Sequence, residues 1–206
     1  EFSAQEHKQI DLGIEILRSG GVIAFPTDTV YGLGCGAYKE SAVARIFEIK
    51  GRSRELALPL LLSDVSQLHE VSQDLPLYVW DLISTFMPGG LTLIVPRMRV
   101  VKDIITAGGE SVAVRIPDHP VPQALIKGCG MPVVGTSANL SGKPAVCTAK
   151  EVSEQLADKV DLIIEAGPQP GGKESTVVDV TGETAVILRE GAVSRKEIAA
   201  LIPLRE

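Results

Sequence analysis

Several common chemistries are excluded by what this sequence has little of. Its three cysteines, Cys35, Cys129 and Cys147, are widely spaced and form no CxxC pair, which supports neither a zinc ribbon nor a disulfide framework. The three histidines, His7, His69 and His119, are isolated, and no pair has metal-ligand spacing. Aromatic residues make up only 4% of the chain, and apolar runs such as 58–62 are far too short to cross a bilayer. With no signal-peptide pattern, the expected location is cytoplasmic and no membrane contact is expected. Excess positive charge is lacking as well. Lys and Arg number 20 against 26 Asp and Glu, a formal charge of −6, which argues against nucleic-acid binding by bulk charge. A local basic cavity is still compatible with that balance.

What is present is a globular chain. At 206 residues and 45% hydrophobic, it has room for one or two domains and enough apolar material for a real core. Twenty glycines and 13 prolines imply many tight turns. Ser3 and Glu6 form a capping-box pattern, followed by Ile10, Ile14 and Leu17 at helical spacing and a Gly20-Gly21 stop. Two more such boxes stand at Thr148/Glu151 and Ser194/Glu197, and residues 41–50 and 76–86 also read as helices. Short apolar runs at 22–25, 58–62, 91–95, 132–134, 162–164, 177–180 and 185–188 read as strands. At 112–116 the valines alternate with Ala113 and Arg115, so Arg115 projects from the face opposite the valines. Helices and strands interleave, which predicts an α/β fold with helices packed on one sheet. The link at 181–184 reads as a hairpin, so that sheet is expected to be mixed.

Four polar stretches sit at strand ends, where open α/β sheets place ligands. PTDTVYGLG at 26–34 brings hydroxyls on Thr27, Thr29 and Tyr31 close together; the same residues also suit a plain turn with satisfied hydroxyls. Lys50, Arg52 and Arg54 end a helix, where cations favour the dipole and can equally clamp phosphate. Arg115 enters an Ile-Pro turn, placed to bind a carboxylate or to pair with Asp118. GTSANLSG at 135–142 can form an anion nest or an ordinary Asn/Ser turn, and Ser137 and Asn139 alternate so that both can face one site. The segment GPQPGGK at 167–173 imitates a P-loop. Glu174 replaces its hydroxyl residue, two prolines remove N–H donors, and a strand follows where a helix is required.

In order, TDTVYGL, KxR, VRIP, TSANxSG, STVVD and LREGA resemble the YrdC-type threonylcarbamoyl-adenylate synthases over about residues 20–193. The KxR and SxN pairs, Lys50/Arg52 and Ser137/Asn139, are the most specific part of that resemblance. It implies a single α/β domain, residues 1–206, with a twisted mixed sheet around an open basic cavity and no additional C-terminal domain. It also implies a nucleotidyltransferase that makes threonylcarbamoyl-AMP from L-threonine, bicarbonate and ATP, releasing pyrophosphate. A partner enzyme then carries the threonylcarbamoyl group to an adenosine of tRNA, so contact with tRNA itself is indirect. The resemblance assigns Lys50 and Arg52 to the triphosphate and to catalysis. Thr29, Arg115, Ser137 and Ser175 go to the threonine or carbamate, and Ser111, Asn139 and Arg189 to the nucleotide. Magnesium is expected to arrive with ATP, and no protein-built metal site is expected.

Some positions depart from the family pattern. Ser53 follows KxR in place of the usual Pro, Leu56-Ala57 replace a usual polar-Pro pair, Leu61 stands where a His is frequent, and Cys147 replaces a commoner Ser. Two other functions are open to the same residues. One is an RNA-binding module of the same fold without adenylate synthesis. The other is a carbamoyl-adenylate enzyme fed by carbamoyl phosphate, which resembles longer chains than this one.

Overall fold

A computed structural model describes residues 2–168 and 170–205. The helices are α1 (Ala4–Arg18), α2 (Glu40–Lys50), α3 (Val65–Val71), α4 (Leu77–Phe86), α5 (Asp103–Thr106), α6 (Pro120–Cys129), α7 (Ala149–Leu156) and α8 (Arg195–Ala199). The strands are β1 (Ile23–Phe25), β2 (Gly32–Gly36), β3 (Leu60–Leu61), β4 (Leu91–Pro96), β5 (Ser111–Arg115), β6 (Val133–Ser137), β7 (Leu162–Ile163), β8 (Thr176–Asp179) and β9 (Val186–Arg189). They form one sheet in the order β7-β1-β2-β6-β3-β5-β4-β8-β9. The pairs β1/β7, β3/β5 and β4/β8 are parallel and the others antiparallel, so the sheet is mixed, as the sequence predicts.

Strand alternation sorts the side chains into two layers. On one face Ala24, Leu33, Leu60, Leu93, Val114, Val134 and Val178 join the large core that α2, α3, α4, α5, α7 and α8 cover. On the other face Ile23, Phe25, Leu61 and Val133 meet Leu17 of α1 and Val121, Leu125 and Ile126 of α6 in a smaller core. The β5, β4 and β8 residues on this second face, Ala113, Arg115, Thr92, Ile94 and Val177, are outside that smaller core and line a cavity instead.

The three capping boxes form as the sequence predicts: Ser3 with Glu6, Thr148 with Glu151, and Ser194 with Glu197. Others of the elements escape a reading by periodicity. Pro120 and Pro122 disguise α6, yet proline is tolerated in a first helical turn because those N–H groups have no helical partner. The glycine-rich 32–36 stretch reads as a loop but is β2. A side chain at Gly34 would collide with the Val134 carbonyl and approach Phe25, so the close strand spacing requires glycine there. The strand expected at 132–134 runs on to Ser137, which places three of the eight residues of the predicted 135–142 loop inside the sheet.

Candidate functional site

The uncovered part of the second face floors a cavity of about 380 Å³. Leu61, Ile94, Ala113 and Val177 form its apolar floor, and Thr29, Thr92, Ser137 and Ser175 add hydroxyls. Three guanidiniums, Arg52, Arg115 and Arg189, line it against a single carboxylate, Glu174. A larger cleft of about 590 Å³ lies elsewhere, between Glu40 and the 97–110 segment, but its cations and carboxylates are interspersed and Arg97 is already bonded to Asp103.

Arg115 ends β5 and is almost fully buried. Its Nη2 donates to Asp28 Oδ1 at 2.6 Å, its Nη1 to Thr29 Oγ1 at 2.7 Å and its Nε to the Gly89 carbonyl at 2.9 Å. Burial pushes its pKa down and Asp28 pushes it back up, while the fork stays rigid and charged. The hydroxyl chain beside it has a fixed polarity. Thr27 donates its one proton to the Val30 carbonyl, so Thr29 must donate to Thr27 across their 3.0 Å contact. Thr29 already accepts from Arg115 and can offer a ligand only a remaining lone pair. Tyr31, by contrast, donates to the Ile164 carbonyl and is buried in the large core, so it does not join Thr27 and Thr29 at the site.

Lys50 takes a different position from the one its motif suggests. Its ammonium lies behind the 137–139 turn and donates to the Ser137 carbonyl and, at 2.7 Å, to that of Asn139. The Lys50 carbonyl accepts the Ser141 N–H at 2.8 Å, so both ends of this residue pin the turn. Burial, helped by nearby Arg52, brings the Lys50 pKa down to about 8, against the pull of Glu174. Arg52 reaches the cavity wall. Its Nη2 donates to the Ala57 carbonyl at 2.9 Å, and its buried Nε has no partner.

Ser137 lines the cavity, but Asn139 does not share its orientation. The Asn139 amide folds back to donate to the carbonyls of Leu140 at 3.0 Å and Lys143 at 2.7 Å. The expected alternation fails because Ser137 is the last residue of β6 and the chain turns immediately after it. Asn139 Oδ1 is buried without a partner, an acceptor with nothing to accept from. Ser111 shares a strand face with Ala113 and Arg115 but stands at the far end of β5, beyond the cavity lining. Ser175 and Arg189 are where the motifs lead. Ser175 Oγ meets Thr92 Oγ1 at 2.8 Å, and Arg189 Nη2 donates to the Ser175 carbonyl at 2.9 Å. Thr92 and Asp28 also belong to the site but are not among the sequence candidates. Thr92 is the outward polar residue of an otherwise apolar strand, a readable signal; Asp28 stood inside the TDT motif beside Thr29.

Among the described residues no group of three or more His, Cys, Asp or Glu stands together as a metal cage. No helix among them is long and apolar enough to cross a membrane. The Sua5/YciO/YrdC family model, described as "Telomere recombination", matches residues 15–191. The chain is 41% identical over 195 residues to a Bacillus subtilis protein named threonylcarbamoyl-AMP synthase, covering 94% of this chain and 56% of that one. A crystal structure of Pyrococcus abyssi Sua5 complexed with L-threonine superposes with a TM-score of 0.91 at 39% identity, over 97% of this chain and 59% of that one. Escherichia coli YciO superposes with a TM-score of 0.84 at 32% identity, over 93% of both chains. The chain thus spans little more than half the length of the Bacillus subtilis and Pyrococcus abyssi relatives. With all nine strands, helices α2 to α7 and the cavity inside the matched region, the chain belongs to the Sua5/YciO/YrdC family.

Proposed function

We propose that the cavity makes threonylcarbamoyl-AMP from L-threonine, bicarbonate and ATP, releasing pyrophosphate. The observation that carries this reading is the convergence of Arg52, Arg115 and Arg189 on one hollow in a chain of net charge −6. Such a hollow suits a carboxylate beside a polyphosphate, and the bound threonine of the Pyrococcus abyssi relative makes the amino acid a natural ligand.

The threonine amine adds to carbon dioxide drawn from bicarbonate and loses a proton, giving a carbamate. A carbamate oxygen then attacks the α-phosphorus of ATP, a phosphorus–oxygen bond forms, and the bond to the β-phosphate oxygen breaks. Reactions of this kind depend mainly on alignment and charge neutralisation. The rigid Arg115 fork holds the threonine carboxylate. Thr29, restricted to accepting, takes an N–H of the amino acid. Ser137 and Ser175 steady the carbamate, with Thr92 fixing the Ser175 hydroxyl. Arg52 and Arg189 neutralise the phosphates, and Lys50 acts chiefly by pinning the 137–139 turn, with its remaining N–H free for an oxygen. The unpaired Asn139 Oδ1 and, farther along β5, Ser111 are the nucleotide's polar contacts. Magnesium enters as part of the ATP substrate, on phosphate oxygens. The product's activated acyl group then passes to a tRNA-modifying partner.

The test is a pyrophosphate-release assay with each reactant omitted in turn, coupled to mass spectrometry of the products. Release should need threonine, bicarbonate and ATP together, and Arg52→Ala should abolish it. Turnover with carbamoyl phosphate in place of threonine would move the chain to another carbamoyl-adenylate chemistry. Salt-sensitive tRNA binding with no adenylate would make it an RNA-binding module.

A further inference from the structure

The turn after β5 holds a second buried polar side chain that the proposed reaction does not use. His119 is 2% exposed and caps α6. Its Nδ1 accepts the Val121 N–H at 3.2 Å, so the ring proton sits on Nε2, which donates to the Pro168 carbonyl at 2.9 Å. A helix cap needs only the first bond, which a Ser, Asp or Asn would also supply. The second reaches a far segment, described at residues 167–168 and 170–172. Gly167 there has φ +70°, and a Cβ on it would stand 3.0 Å from His119 Cε1, so the segment lies against the ring.

That segment straps the amino-acid end of the cavity. Gly171 donates its N–H to the Asp28 carbonyl at 3.1 Å, and Gly172 to the Thr29 carbonyl at 2.7 Å. Asp28 and Thr29 in turn supply two of the three acceptors that aim the Arg115 fork. The bonds therefore close a circuit. It leaves β5 at Arg115, passes through 28–29 and the strap, and returns to His119, four residues further along the same turn.

We propose that His119 is a positioning residue: as a neutral imidazole it locks the strap to the β5–α6 turn and so fixes the direction of the Arg115 fork. The inference rests on the reading of Arg115 as the threonine carboxylate site. Burial lowers the His119 pKa, while its bond to Pro168 and the carboxylates of Asp28 and Asp118 raise it. Glu6 of α1 bounds the strap from the other side, accepting the Gly167 N–H at 2.9 Å. A proton added at Nδ1 would point at the Val121 N–H, donor against donor, and release the cap. Threonine affinity should then fall in acid as His119 titrates.

The test is calorimetric titration of L-threonine into the wild-type chain, His119→Asn, Gly167→Ala and the double variant, between pH 5 and pH 8. Asparagine keeps an oxygen for the Val121 N–H but is too short to hold Pro168, and Gly167→Ala disturbs the same contact from the strap side. Each single variant should bind roughly three- to ten-fold more weakly. The double variant should be little worse than the weaker single, and the acid loss of affinity should vanish in His119→Asn. Wild-type affinity in the variants, additive losses, or an unchanged acid limb in His119→Asn overturns the inference. A wild-type chain that does not bind threonine at all overturns the Arg115 reading and this inference with it.

Discussion

Two halves of one sheet face are built alike and end differently. Around β1, β6 and β7 the outward residues are Ile23, Phe25 and Val133, with Ile164 beside them, and α1 and α6 seal them into a dry layer. Across β5, β4 and β8 the outward residues are Ala113, Arg115, Thr92, Ile94 and Val177, and they line the cavity. Leu61 of β3 belongs to both. Both halves follow the same two-residue alternation. What differs is the size and polarity of the residues at the outward positions, and whether a helix follows close enough to cover them. The comparison teaches that the site is the part of an ordinary α/β layer left unroofed, with cations brought to its rim from three distant segments.

The largest effect should come from breaking the uncovered half at its most buried charge. Arg115→Met should weaken threonine binding by roughly a hundred-fold or more, because a buried charge pair loses one member. It should also cost of order 3 kcal/mol in stability, since Asp28 is left without its partner. Calorimetry and denaturant unfolding read the two together, and native affinity in this variant would disconnect Arg115 from the amino acid.

The matching change in the covered half should separate stability from binding. Leu125→Ala empties part of the smaller core and should cost about 2–5 kcal/mol of unfolding free energy. Threonine affinity of the folded protein at 25 °C should stay within about two-fold of wild type, since distant sites act independently. A large loss of affinity would show that the two halves are mechanically one.

A smaller effect should appear at alkaline pH. Lys50 has its pKa lowered to about 8 from an ordinary 10.5, so the unfolded chain binds more protons between those values. Its unfavourable burial as a cation is fully present below pH 8, and stability from this group rises as pH climbs through that window. Nucleotide affinity should move the other way, falling roughly three- to ten-fold above pH 8 as the cation is lost. Lys50→Met should bind weakly at all pH values without that step, which a pH series of fluorescent-nucleotide titrations would show. The smallest change sits on the shared boundary. A Cβ at Gly135 would collide with the Leu61 side chain, so Gly135→Ala should push Leu61 and weaken ligand binding a few-fold, with Leu61→Ala restoring it.

Much of this arrangement is legible before any coordinates. The capping boxes fix α1, α7 and α8, and the Val-Ala-Val-Arg alternation puts Arg115 on the correct face. Thr29, Arg52, Ser137, Ser175 and Arg189 reach the cavity as their motifs suggest. What is not legible depends on how the chain turns after a strand. Ser137 closes β6 and faces the cavity, whereas Asn139, two residues later in a bend, satisfies its own loop. Lys50 appears as a phosphate ligand in a linear motif, and only the tertiary path of 137–141 shows it holding carbonyls. Glycine-rich β2 and proline-led α6 are hidden because local propensity points away from strand and helix, while close packing and an unusual histidine cap override it.

The central claim is that the amino acid and the triphosphate meet on the unroofed half of the sheet. A crystal structure with L-threonine and a non-hydrolysable ATP analogue tests it most directly. The threonine carboxylate should lie on the Arg115 guanidinium, with the phosphates between Arg52, Arg189 and the 137–139 turn. Ligands seated instead in the cleft between Glu40 and Arg97, with the Arg115 cavity holding only solvent, would contradict it.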